Sequence, residues 1–250
     1  MSIQIDHDIY IQLSESEKTV AEYIMKNEDK ILSSSITGIA HQTFTSSSTV
    51  SRTIQKMGFS GIAQLRYEIS SNAKSKENEE ESYTMNKVIY KVYNEANRTI
   101  DALNVGDIIK ISNGIKKAER IFVVAQGATA LIARDFELWL QYLGHNVSII
   151  TEDKWLTKMN FLVNENDILI VLTSQCTNQK LLTAAKLSKA VNCPVYACCC
   201  KENTGLENYA DVFLLGHSEV IMEYKGDINY SRIALLIITR TITEYLSYDE

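Results

Sequence analysis

From residue 120 onward, short uninterrupted apolar runs alternate with longer amphipathic segments. IFVVA (121–125), VSII (147–150), DILIVLT (167–173), VYACCC (195–200) and DVFLLG (211–216) each read as a strand. A strand that is apolar at every position must be covered on both faces, and strands alternating with helices pair in parallel, so this half is expected to be a three-layer α/β sandwich with a mostly parallel sheet. Helices are predicted for the segment carrying Leu131, Phe136, Leu138 and Leu140, for KWLTKMNFL (154–162), for LLTAAKLSKAV (181–191) and for ALLIITRTITEYL (234–246).

The N-terminal part has a different rhythm. LSESEKTVAEYIMKN (13–27) opens with Ser14 three residues before Glu17, the spacing of a capping box, and Val20, Ala21 and Ile24 follow as one apolar stripe. Ile36, Ile39 and Ala40 mark a second short helix and Val50, Ile54 and Met57 a third, with TFTSSS (43–48) before it and Gly58 closing it. Two short helices joined by a few residues, the second with hydroxyls and Arg52 on its outer face, form the layout of a helix-turn-helix. The charge pattern agrees. No Asp or Glu occurs from Lys30 to Tyr67, although the chain holds 31 in 250 residues, while Lys30, Arg52, Lys56 and Arg66 all lie in that stretch. A surface facing phosphates requires this clearance of negative charge.

Residues 71–86, SNAKSKENEEESYTMN, are polar and acidic. They divide the chain into an all-α helix-turn-helix domain at 1–75, a linker at 76–86 and an α/β domain at 87–250, the last opening with a helical pattern from Val88 to Leu103. With 25 basic and 31 acidic residues the net charge is −6, so any contact with nucleic acid has to be local. No apolar run approaches the ~20 residues of a membrane span and the first residues carry no signal-peptide pattern, which predicts a cytoplasmic chain with no membrane partner. Five cysteines, at 176, 193 and 198–200, make a poor disulfide framework and fit a reducing compartment. The three adjacent ones alternate faces of a strand and cannot share one ion, so they read as small buried residues, with no metal site and no cofactor implied. Trp139 and Trp155 read as core or dimer surface.

In open parallel sheets ligands bind beyond the carboxyl ends of the strands, which singles out AQGATA (125–130) and TSQCTNQK (173–180). Gly127 lets the backbone approach a ligand and Thr129 adds a hydroxyl. Thr173, Ser174, Gln175, Thr177 and Asn178 are a run of small polar side chains suited to a phosphate or a hydroxylated small molecule. Ordinary strand-to-helix turns with capping residues are the alternative.

Both halves resemble one family. LSESEKTVAEYIMKN, SITGIA and SSSTVSRTIQKMGFSGIAQLR are similar to the DNA-binding domain of RpiR-family transcriptional regulators. QGATALIARDF, the turn at Gly144, DILIVLT, YADVFLL and SRIALL are similar to that family's sugar-isomerase (SIS) domain. The resemblance implies a DNA-binding regulator of carbohydrate genes, usually a repressor, acting as a homodimer or tetramer and controlled by a phosphorylated sugar. It makes Ser46 the N-cap of the recognition helix and turns Ser47, Ser48, Thr49, Ser51, Arg52 and Gln55 toward the groove or its phosphates, with Lys56 as a backbone contact. It assigns the effector to Gly127, Ala128, Thr129, Thr173, Ser174, Gln175, Thr177 and Asn178. The loops depart from the family pattern: Ala125 stands for a glycine in the first, and Gln175, Cys176, Asn178 and Lys180 replace hydroxyl, glycine and acidic positions in the second. A sugar phosphate held with the help of Lys180, a different ligand, and no ligand all stay open. A sugar-phosphate isomerase is the rival from another class, since such enzymes share the fold. His217 with Glu219 is the one pair suited to moving a proton; otherwise no catalytic residue is assigned.

Overall fold

A computed structural model describes residues 3, 5–72 and 80–248. The chain divides into two compact units, 1–94 and 95–250.

The first unit is helical: α1 (His7–Ile11), α2 (Glu15–Lys26), α3 (Glu28–Ile31), α4 (Ile36–Gln42), α5 (Ser47–Lys56) and α6 (Ile62–Asn72). The capping box expected at the start of α2 is formed, with the Ser14 hydroxyl accepting from the Glu17 N–H and the Glu17 carboxylate accepting from the Ser14 N–H. Val20, Ala21, Ile24, Ile39, Val50, Ile54 and Leu65 from four helices meet in one core. The stripe positions that define α2, α4 and α5 in sequence are buried, except Ile36, which is half-buried against the core.

Helix α7 (Glu80–Ala102) begins eight residues before Val88. Residues 80–86, expected as linker, are therefore helical; 76–79 lie outside the described residues. Tertiary contacts explain the difference. The Tyr67 ring of α6 stacks on Tyr90 at 4.9 Å and on Tyr83 at 6.2 Å, and the Asn86 amide donates to the Leu32 carbonyl at 3.3 Å. Such packing outweighs a polar composition that by itself favours solvent.

The second unit carries the sheet: β1 (Ile121–Val124), β2 (Val147–Ile150), β3 (Ile168–Thr173), β4 (Val195–Cys199) and β5 (Val212–Leu215), all parallel in the order β2-β1-β3-β4-β5. Alternate residues feed two cores. Ile121, Val123, Ile168, Ile170 and Leu172 meet helices α8 (Val105–Lys117), α9 (Thr129–Tyr142) and α12 (Ile233–Ser247), while Phe122, Val124, Leu169 and Val171 meet α11 (Gln179–Ala190). This is the expected three-layer arrangement.

Two segments differ from expectation. KWLTKMNFL is a single four-residue helix, α10 (Asp153–Leu156), followed by a 3-10 turn at Met159–Phe161, which lets Leu156 and Met159 both enter the second core. After β5 the chain forms an unforeseen antiparallel hairpin, β6 (Val220–Tyr224) with β7 (Asp227–Tyr230). Cys198 and Cys199 are wholly buried, and burial pushes both thiols up to about 12. Trp139 and Trp155 are 48% and 43% exposed, so neither is core. None of the described helices is long and apolar enough to cross a membrane.

Candidate functional site

Two surfaces carry the residues singled out in sequence, one in each unit. In the first, Ser35 caps α4 by accepting from the Gly38 N–H at 3.1 Å, and Ser46 caps α5 by accepting from the Thr49 N–H at 3.1 Å. Val50, Thr53 and Ile54 fix α5 to the core, so its opposite face is open. Ser46, Ser47, Ser48, Arg52 and Gln55 are exposed, and Thr49 and Ser51 are half-buried. The Arg52 Nε donates to the Ser48 carbonyl at 3.4 Å, which lays the side chain along the helix. Lys56 is placed differently from the simple expectation. Its ammonium sits 2.7 Å from Glu17, a carboxylate that is 9% exposed, and this hydrogen bond with those from Ser14 holds the Glu17 carboxyl down at about 2. Lys56 thus ties α5 to α2. The turn between α4 and α5 contains Phe44, 96% exposed and with φ of 53°, a left-handed conformation that costs a non-glycine residue strain.

In the second unit the sheet order creates the site. The chain leaves β1 by α9 toward β2 on one face and leaves β3 by α11 toward β4 on the other, so the loops after β1 and β3 diverge and a crevice opens between them. A cavity of about 180 Å³ occupies it. Thr129 comes from the first loop and Thr173, Ser174, Gln175, Thr177 and Asn178 from the second. Six of the eight effector residues are thereby brought together. Gly127 and Ala128 are not in its lining; Gly127, with φ of 55°, shapes the turn instead.

The two loops are joined by side chains. The Asn178 Nδ2 donates to Gln126 Oε1 at 2.7 Å and to Asp153 Oδ1 at 3.0 Å, and the Lys180 ammonium meets Asp153 Oδ2 at 2.5 Å. Lys180 holds the Asp153 carboxyl below the usual carboxylate range, with Gln126 and Asn178 adding to the effect. Lys180 is therefore occupied, and it does not line the cavity. The Thr173 hydroxyl accepts from the Cys176 N–H at 3.0 Å, and Cys176 is buried, which raises its thiol and works against reactivity.

Six further lining residues were not singled out for the site: Leu172 of β3, Leu181 of α11, Gln126, Ile228, Tyr230 and Arg232. Gln126 lies two residues past the end of β1 and could have been found there. Ile228, Tyr230 and Arg232 arrive from the hairpin and the start of α12, more than 50 residues after β3. His217 and Glu219 pair at 3.2 Å, but His217 Nε2 also lies 2.9 Å from Arg98, and neither residue of the pair lines the cavity.

Comparison with known proteins agrees with this division. Residues 4–76 match the helix-turn-helix domain of the rpiR family and residues 114–226 match the SIS domain. An uncharacterized HTH-type transcriptional regulator of Haemophilus influenzae is 23% identical, the match covering 97% of this chain and 88% of that one. In fold, the chain is similar to the Vibrio vulnificus NanR protein complexed with ManNAc-6P, with a TM-score of 0.58, 18% identity, and coverage of 96% of this chain and 88% of that one. It is also similar to the sugar isomerase domain of an RpiR transcription factor from Sphaerobacter thermophilus, with a TM-score of 0.60, 18% identity, and coverage of 66% and 89%. With its helix-turn-helix followed by a parallel-sheet SIS domain, the chain belongs to the RpiR family of transcriptional regulators.

Proposed function

We propose that this regulator is a cytoplasmic, sequence-specific repressor of carbohydrate genes whose DNA affinity is set by a phosphosugar in the cavity between β1 and β3. The observation that carries the reading is the cavity itself. It gathers hydroxyls and amides from both loops at the one place where the sheet topology opens a crevice. The NanR complex with ManNAc-6P, a protein of similar fold, supports a phosphorylated sugar as the ligand class. DNA would be read by the exposed face of α5 through Ser46, Ser47, Ser48, Thr49, Ser51, Arg52 and Gln55. In this reading residues 1–75 bind DNA and 87–250 bind the effector.

Regulation is favoured over isomerisation because the described cavity-lining residues include no His, Asp or Glu to carry a proton between carbons. A homo-oligomer is part of the reading. Leu131, Leu138, Trp139 and Tyr142 of α9 and Leu236 of α12 are all exposed, an apolar set suited to a second copy, and two-fold symmetry matches paired half-sites.

The test is binding of the purified protein to DNA from around its own gene, at fixed salt, with and without a panel of sugar phosphates. Selective binding that one sugar phosphate shifts is the expected result. Selective binding indifferent to the whole panel would remove the effector part of the reading, and absence of selective binding would remove the regulator.

A further inference from the structure

Among the described residues the cavity receives one charged side chain from its lining, and that side chain comes from neither loop. Arg232, the residue before α12, lines it beside Tyr230 and Ile228 of β7. One terminal nitrogen of its guanidinium donates to the Tyr230 carbonyl, while Nε is buried without a hydrogen-bond partner among the described residues. A guanidinium offers five N–H donors in a fixed plane, and here only part of that capacity is used. Across the same cavity lie Thr129, Thr173 and Ser174, 4%, 7% and 6% exposed. The nearby acid, Asp153, is neutralised by Lys180. A cation with unspent donors facing buried hydroxyls, with no carboxylate among the described lining residues, is an environment for an anion with several oxygens.

We propose that Arg232 is the residue that recognises the anionic group of the effector, a phosphomonoester on a compact polyol, with the hydroxyls of Thr129, Thr173 and Ser174 completing its coordination. The inference rests on the cavity being the effector site. It also accounts for the altered second loop. Lys180 reads in sequence as the compensating charge, but its ammonium is held by Asp153, and Arg232 supplies the charge from the other end of the domain. The planar fork binds two phosphate oxygens at once, which a lysine in its place does not.

Calorimetric titration of the full-length protein with a panel of hexose and hexosamine phosphates, and with inorganic phosphate as a minimal probe, tests the assignment. Arg232→Gln is expected to weaken the best phosphosugar by roughly 10- to 100-fold, the range for loss of a charge-assisted hydrogen bond, and Arg232→Lys to recover only part of it. Unchanged thermal unfolding of both variants checks that the fold is kept; should Arg232→Gln unfold, Arg232→Lys alone decides by its partial loss. If Arg232→Gln binds like the unaltered protein while Thr173→Val weakens binding, the cavity is the effector site and the role given to Arg232 is wrong. If the unaltered protein binds no phosphorylated ligand, the cavity reading and this inference fall together.

Discussion

The Lys56 ammonium of α5 closes on the Glu17 carboxylate of α2 at 2.7 Å, and Glu17 is at the same time the acid of the capping box that starts α2. One carboxylate therefore fixes both the beginning of α2 and the tilt of α5. Its pKa is lowered to about 2, first by the hydrogen bond from Lys56, against about 4.3 in an unfolded chain. A lowered carboxylate pKa gives stability that is complete above the unfolded value and lost as pH falls through the folded one. The helix-turn-helix unit is expected to lose stability between about pH 4.5 and 2, and Lys56→Met to flatten that dependence. At pH 7 the same variant should cost roughly 1–3 kcal/mol in urea unfolding, nearer the lower figure because Lys56 is half exposed.

Arg52 should behave in the opposite way. It is exposed and, among the described residues, bonded to its own helix at the Ser48 carbonyl, so little of the fold depends on it. Arg52→Ala is expected to leave unfolding nearly unchanged and to weaken operator binding by about 1–3 kcal/mol. Comparing both variants by unfolding and by DNA titration at several salt concentrations separates the two roles. Equal loss of DNA affinity at unchanged stability for Lys56→Met would show that Lys56, too, meets phosphate.

Phe44 holds a left-handed φ of 53° and is 96% exposed, so it takes on backbone strain and gains no burial. Left-handed backbone costs about 1–2 kcal/mol for a residue with a Cβ. Glycine removes that cost but loses more chain entropy on folding, about 0.5–1 kcal/mol. Phe44→Gly is expected to raise stability by roughly 0.5–1 kcal/mol. An accompanying fall in operator affinity would mean that the exposed ring is kept for a contact with DNA.

The layers of the fold were legible because their signals are local. Ile121 to Val124 and Ile168 to Val171 are apolar at every step and turn alternate side chains into two cores, which only a covered parallel strand does. Ser14 and Glu17 are three residues apart, and so are the hydrogen bonds they make. The hairpin gave no such signal: Ile221, Met222, Tyr224 and Ile228 are all exposed, so no alternation of buried and exposed residues marks its strands. For the site, the loop residues followed from strand ends, whereas the Asp153–Lys180 pair spans 27 residues and Arg232 enters from the far side of the hairpin. Contacts made by the fold between distant segments leave no spacing to read.

Asp153 is bonded to the cavity-lining Gln126 and Asn178, and it both restrains Lys180 and offsets its positive charge. Replacing it by Asn keeps an acceptor for Gln126 and Asn178 and frees the ammonium. Asp153→Asn is expected to tighten phosphosugar binding several-fold at low salt, an effect that shrinks as added salt screens the charge. Weaker binding instead would show that joining the two loops through Asp153 matters more than freeing the Lys180 charge.

Glu95 of α7 is 2% exposed, and its Oε1 has no hydrogen-bond partner among the described residues. Burial raises its carboxyl above the usual range. The Ser231 hydroxyl and the Glu219 N–H oppose the rise, the Glu219 carboxylate adds to it, and His217 counters it. On α7 itself, Arg98 is engaged with His217. A carboxyl whose folded pKa lies above its unfolded value favours the folded state while protonated, and that contribution is lost as pH rises past the unfolded value of about 4.3. Glutamine at this position offers the same acceptor oxygen with no charge to bury. Glu95→Gln is therefore expected to raise the unfolding midpoint at pH 8 and to change it little at pH 4. If the variant is less stable at pH 8, the ionised carboxylate is paid for by partners that a neutral amide cannot satisfy, and the positive charge of Arg98 would be the one to test next.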